Sequence, residues 1–214
     1  MTNIKLITIT NAPQNAEVLR RSAELHGWDF VCLEVEWKGF GTKLIETYNY
    51  LKEHPEVERF IFADAFDVVV FGSPKEFDDN IRNQDMLCSA EKGLWPPILS
   101  PFKSEYVQWN EGFNYPNSGL YYSTSKFFKY LFEKYPPFYE IDDQYWMNIC
   151  FIMQHHLLID MEQSLFNSHS FISEGEYTYN NGRVQIMGNE PIFVHSNGRT
   201  VDPQLDELVK NMLA

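Results

Sequence analysis

The sequence is short of positive charge, of cysteine and of long apolar runs. Seventeen Lys and Arg face thirty Asp and Glu over 214 residues, a formal net charge of −13. That balance argues against a nucleic-acid surface, which needs clustered cations to meet phosphates. It also means that an anionic ligand needs local help, most economically from a bound cation. Three cysteines, Cys32, Cys88 and Cys150, stand in apolar surroundings without metal-type spacing. They read as buried thiols of a reducing, cytoplasmic compartment rather than as a disulfide framework. No apolar run approaches the roughly 20 residues of a membrane span. The opening MTNIKLITIT has no basic flank ahead of a long apolar segment, so it does not read as a secretory signal. Low-complexity tracts and internal repeats do not stand out either.

What is present is an alternation of short β-rich runs with helical patterns. Ile4 to Thr10 and Phe30 to Val35 read as strands, with a helix over Ala16 to His26 between them and Gly27 as its stop. Lys43 to His54 reads as a second helix and Phe60 to Ala63 as a third strand. A helix start follows, with Ser73 as N-cap, Pro74 in the first turn and Glu76 completing a capping box. Asp85 to Ala90 is an expected strand, Gly93 to Pro116 mostly loop, and Gly119 to Ser123 a strand again. Helices over Ser125 to Tyr135 and Asp142 to His155 follow, then a strand over Leu157 to Asp160. Phe166 to Glu190 shows little regularity, Pro191 to His195 is a last strand, and Asp202-Pro203 opens a C-terminal helix. The order implies an α/β protein: a three-layer sandwich on a mostly parallel sheet, one Rossmann-like domain over residues 1–214. Such sheets bind ligands at the C-terminal ends of their strands.

One stretch breaks the apolar logic. FIFADAFDVVVF, Phe60 to Phe71, has ten apolar residues and two carboxylates, Asp64 and Asp67. Asp64 falls where the third strand ends, and a turn through Ala65 and Phe66 would return Asp67 to its side. Two carboxylates that close repel unless a cation lies between them. A hard divalent ion suits oxygen ligands and can hold a nucleotide diphosphate at the same time. The competing reading is a turn cap at Asp64 with a solvated Asp67. Other segments each have a structural reading of their own. His195 and the following Asn197-Gly198 end a strand, Asn117 and Ser118 make a turn, and Asp142 or Asp143 caps a helix. Glu91 and Trp95 lie just past the fourth strand, and His155-His156 reads as a surface pair.

Taken in order, Asp-x-x-Asp, Ser-Ala-Glu with Trp-Pro, Asn-Ser-Gly, Asp-Asp-Gln and His-x-Asn-Gly resemble the glycosyltransferase domain of the procollagen lysyl hydroxylase and glycosyltransferase family. The resemblance runs from the LITIT strand through EWKGFGTK to PIFVHSNG. It implies a GT-A-like fold and a hexose transfer from a UDP-sugar, glucose ahead of galactose, to a hydroxyl acceptor on a glycan or glycosylated protein, such as a glycosylated hydroxylysine. It implies Mn²⁺, or Mg²⁺ in its place, held by Asp64, Asp67 and His195. Thr8, Trp37, Lys43, Phe66, Trp95, Asn197 and Gly198 are then expected around the nucleotide sugar, and Asn117, Asp142 and Asp143 around the reacting sugar. Phe66 stands where the family commonly has a tyrosine, and Leu94 where it has a cysteine. A non-catalytic sugar-nucleotide or glycan-binding module is the alternative from another class. A phosphatase is disfavoured because the first strand runs into Asn11-Ala12-Pro13 rather than an Asp pair, and a nucleotidyltransferase because no Gly-rich loop stands near the N-terminus.

Overall fold

A computed structural model describes residues 4–106, 112–154, 156–170, 172, 175–199 and 203–214. The elements, in chain order, are β1 Ile4–Thr10, α1 Glu17–Leu25, β2 Asp29–Glu34, α2 Gly41–Glu53, β3 Arg59–Ala63, β4 Val68–Val70, α3 Pro74–Asn80, β5 Met86–Glu91, β6 Tyr115–Thr124, α4 Ser125–Lys134, α5 Asp143–Met153, β7 Leu157–Asp160, β8 Phe166–Ser168, β9 Tyr177–Asn180, β10 Arg183–Ile186, β11 Phe193–His195 and α6 Pro203–Leu213. Asp202, expected to open the last helix, and His155 lie outside the described residues.

A six-stranded sheet in the order β2-β1-β3-β6-β5-β7 forms the middle layer. Its period-two pattern feeds two cores. Phe60 and Phe62 of β3, with Ile7 and Ile9 of β1, pack on α2, α4 and α5. Ile61 and Ala63, with Ile4 and Leu6, face the opposite way onto α1, α3 and the small strands β4, β8 and β11. Burying a side chain of this size contributes roughly 1.5–3 kcal/mol, so β3 is apolar on both faces because both faces are covered. The sheet is parallel across β2, β1 and β3 and between β5 and β7, whereas β6 runs antiparallel to both β3 and β5.

Several expectations change in detail. Asn117 and Ser118 do not make a turn ahead of a strand; they lie inside β6, at a bulge where its register against β5 jumps from Tyr121↔Cys88 to Asn117↔Ser89. Pairing with β3 persists there at Leu120↔Ala63, so the chain at 118–120 is pushed out of line and its polar groups are re-aimed. The Gly93 to Pro116 stretch contains a 3-10 helix over Pro97–Glu105. Ser73 Oγ accepts from Glu76 N, but the Glu76 carboxylate pairs with Arg183 instead of closing a capping box. The stretch from Phe166 to Glu190 holds β8 and the β9/β10 hairpin, whose turn residues Asn181 and Gly182 both have positive φ, the two-residue turn that matches strand twist. Cys88 and Cys150 are buried as expected, but Cys32, on the edge strand β2, is half-buried; all three are free.

Candidate active site

Three strand ends and one strand start converge at a single edge. Asp64 follows β3, and its backbone N–H donates to Gly119 O at 2.7 Å. Asp67 precedes β4. Antiparallel pairing of β4 with β11 sets Val68 opposite His195, and Ser196 N donates to Asp67 O at 2.8 Å. One potential ligand atom from each of Asp64, Asp67 and His195 lies within 4.8 Å of the other two. His195 Nε2 is buried, 3.2 Å from Asp67 Oδ1 and 3.8 Å from Asp64 Oδ2, with no aligned hydrogen-bond partner among the described residues.

The other ring nitrogen is fixed. His195 Nδ1 lies 3.1 Å from Asn117 Oδ1, an oxygen that also accepts from Gly119 N at 2.9 Å. An oxygen cannot donate, so Nδ1 carries a proton, and Nε2 is the ring atom turned toward the two carboxylates. Burial alone would lower the imidazole's affinity for a second proton, but Asp67 and then Asp64 outweigh it and raise the His195 pKa. Burial would raise Asp67, and His195 and Lys43 together hold it below the usual carboxylate range. The space beside these groups is kept open by Gly119, where a β-carbon would lie 2.4 Å from Asp64 Oδ2 and 2.4 Å from His195 Cε1. A buried imidazole nitrogen, two carboxylates beside it and a glycine that leaves the gap free suit a divalent cation with O and N ligands.

Lys43 forms the second half of the constellation. Its Nζ lies 2.7 Å from Asp64 Oδ1 and 2.8 Å from Asp143 Oδ2. Burial opposes its charge, but Asp143 and Asp64 overcome this and raise its pKa further, so it stays an ammonium. The two glycines of EWKGFGTK explain the placement. A β-carbon on Gly39 would meet Tyr139 O at 2.2 Å and one on Gly41 would meet Phe138 O at 2.1 Å. Bare backbone therefore lets the start of α2 press against the loop before α5, and Gly41 N donates to Tyr139 O. Asp142 caps α5 by accepting from Tyr145 N at 2.9 Å, which aims Asp143 and Gln144 inward.

Beneath these groups sits Glu91, at the end of β5 and 5 % exposed. Its carboxylate accepts from Gln144 Nε2 at 2.6 Å, Asn197 Nδ2 at 2.7 Å and Asn117 Nδ2 at 3.3 Å. Burial pushes its pKa up to about 7, against the lowering effect of Asn117, His195 and Asn197. All these side chains line one cleft of about 600 Å³, which Phe40, Leu94 and Trp95 wall on the apolar side.

The family model described as the PLOD GT domain matches residues 3–213. The chain belongs to this glycosyltransferase family. No curated protein matches it. Among solved structures, similarity spans nearly whole chains at low identity. A glycosyltransferase involved in the glycosylation of the major capsid of PBCV-1 aligns with a TM-score of 0.56 at 13 % identity, covering 99 % of both chains. The galactosyltransferase LgtC, in complex with donor and acceptor sugar analogs, aligns at 0.54 and 12 % identity, covering 97 % of this chain and 95 % of its own. Mouse xyloside xylosyltransferase 1 aligns at 0.50 and 14 % identity, covering 94 % and 99 %. At such identities the likeness carries the fold, that of GT-A glycosyltransferases.

In this PLOD-type domain the expected site residues separate into two groups. Asp64, Asp67, Lys43, Trp95, Asn117, Asp142, Asp143, His195, Asn197 and Gly198 all reach the cleft. Three expected nucleotide contacts do not line it. Thr8 is fully buried within β1, and its hydroxyl donates to Ala63 O at 2.7 Å, tying β1 to β3. Trp37 packs edge-on against Phe40, which takes the place at the cleft wall. Phe66 is 58 % exposed at the tip of the Asp64–Asp67 turn, with its ring outside the cleft lining. His156 is exposed, 3.9 Å from Asp85 and away from the site. Gln144 was not singled out by sequence, and Glu91 was placed near the ligand edge without a role. Their signals were a polar residue directly after the Asp-Asp cap and a glutamate closing an otherwise apolar strand.

Proposed function

We propose that this domain transfers a hexose from a UDP-sugar to a hydroxyl acceptor with a divalent metal ion bound by Asp64, Asp67 and His195. The observation that carries the reading is the convergence of those three side chains, with a buried imidazole nitrogen facing the carboxylates of Asp67 and Asp64 at 3.2 and 3.8 Å. The ion, Mn²⁺ or Mg²⁺, would supply electrostatic stabilisation of the diphosphate leaving group.

The protein's own groups have complementary tasks. Transfer breaks the bond from the anomeric carbon to the β-phosphate oxygen, forms one to the acceptor oxygen, and releases the acceptor proton. Negative charge grows on the diphosphate, and the Lys43 ammonium, kept charged by its carboxylate partners, is a preorganised cation in the same cleft. Positive charge grows on the sugar ring, which the carboxylates of Asp142 and Asp143 favour. The Asn117 amide at the cleft floor, which gives one N–H to Glu91, has a second for orienting a sugar hydroxyl, and Asn197-Gly198 bring backbone to the rim. Phe40 and Trp95, each 55 % exposed at the apolar wall, suit the flat faces of pyranose rings on a glycan or glycosylated-protein acceptor. Residues 1–214 act as one such domain. The neighbours named above include both a galactosyl- and a xylosyltransferase, so the preference for glucose as donor rests on the family resemblance.

A thermal-shift panel of UDP, UDP-glucose, UDP-galactose and GDP-mannose, each with and without Mn²⁺, tests this reading. A ligand present at a hundred times its dissociation constant adds about 2.7 kcal/mol of apparent stability. The expected result is a shift with uridine ligands that needs the ion, with slow UDP release from UDP-glucose that Asp67→Ala abolishes. Equal shifts in chelator would overturn the metal reading. Ion-dependent binding without any UDP release would point to a binding module instead.

A further inference from the structure

The Glu91 cluster has an internal logic of polarity. A carboxylate only accepts hydrogen bonds, so each amide that meets Glu91 must present its NH₂ to it and turn its carbonyl oxygen away. Each of the three outward oxygens has a donor waiting. Asn197 Oδ1 accepts from Ser170 N at 2.9 Å, and Gln144 Oε1 accepts from Ser118 N at 2.6 Å. Asn117 Oδ1 accepts from Gly119 N and from His195 Nδ1. A flip of any one amide would set NH₂ against N–H on one side and oxygen against carboxylate on the other. Ionised, this one carboxylate thereby orients side chains from β6, from α5 and from the segment after β11.

We infer that Glu91 is a positioning residue for the metal site: through Asn117 it holds the neutral His195 ring in the Nδ1–H tautomer, leaving Nε2 free to ligate. The inference rests on the metal reading given above and adds to it a group that touches neither ion nor sugar. Partners one step behind a metal ligand fix ring orientation and tautomer in this way, and losing them commonly weakens metal binding roughly 10- to 100-fold. Glu91→Gln keeps the shape but brings an NH₂ among three NH₂ donors, so one amide must turn or withdraw. Asn117 has the longest of the three contacts at 3.3 Å, against 2.6 and 2.7 Å for the others, and is the one expected to yield.

Two measurements test this. The first needs no variant: long-range nitrogen–proton NMR of the metal-free wild type, at a pH where the His195 ring is neutral, should find the proton on Nδ1. A ring protonated on Nε2 would overturn the inference. The second is Mn²⁺ affinity by calorimetry for the wild type, E91Q, N117A and the double variant. E91Q should bind Mn²⁺ roughly 10- to 100-fold more weakly and show a mixed tautomer. In the N117A background the same change should add no further loss, because its effect passes through Asn117. Wild-type affinity in E91Q, or losses that multiply in the double variant, would overturn it and leave Glu91 a structural charge. If the wild type binds no Mn²⁺ at all, the metal reading itself fails, and the tautomer measurement then decides the role of Glu91 alone.

Discussion

Any β-carbon at position 119 would lie inside the volume that Asp64 and His195 need, 2.4 Å from an atom of each. Gly119→Ala should therefore abolish the Mn²⁺-dependent thermal shift while costing only the roughly 1–3 kcal/mol of an overpacked site; a retained shift would mean that the ion binds elsewhere. Glu91 makes a prediction about pH. Its carboxyl titrates near 4.5 when unperturbed and at about 7 in the fold. Between those values the folded chain keeps a proton that the unfolded chain has lost, so this group's contribution is full below 4.5 and declines as pH rises toward 7. In chelator, wild type should gain stability relative to E91Q on going from pH 7 to pH 4.5 in denaturant titrations. A pH-independent difference would show that the buried carboxyl is not shifted upward.

At the scale of elements, the cap of α5 separates two roles of Asp142. Asp142→Ala should lose about 1 kcal/mol, the usual worth of an N-cap, and disturb the first turn that carries Asp143 and Gln144. Asp142→Asn retains a capping oxygen and should restore stability but not turnover, because an amide lacks the charge that favours the sugar cation. Recovery of both would reduce Asp142 to a cap. This helix and the strands of the first half were legible because their periods are long enough to read: β1, α1, β2, α2 and β3 fall within two residues of expectation. The carboxylate pair was legible because charge in an apolar stretch needs a reason. The second half was harder. β4 and β8 are three residues each, below any recognisable period, and they join β11, the expected last strand, in a separate sheet through pairings distant in sequence. The β9/β10 hairpin did carry its Asn-Gly turn signal in plain view. Thr8 shows the reverse difficulty: a strand threonine near a ligand edge looks the same in sequence whether its hydroxyl meets a nucleotide or, as here, a neighbouring carbonyl.

For the whole molecule the dominant quantity is charge. A net −13 repels a nucleotide diphosphate, and within the cleft Lys43 is outnumbered by Asp64, Asp67, Asp142 and Asp143. In chelator, UDP association should accordingly speed up as salt rises from about 10 mM to 150 mM and the screening length contracts from about 30 Å to about 8 Å. Saturating Mn²⁺ should flatten or invert that dependence in stopped-flow measurements. An association rate that falls with salt in chelator would mean that an attractive field already surrounds the cleft.

The pairing of β4 with β11 sets Asp67 beside His195, although more than half of the sequence separates the two. No prefix of the chain ending before residue 195 can assemble the proposed ligand set, however much of the sheet it contains. During synthesis both aspartates leave the ribosome early and wait for their imidazole. Premature termination before residue 195, or a nick followed by loss of the segment that carries His195, would thus yield a polypeptide unable to complete this centre.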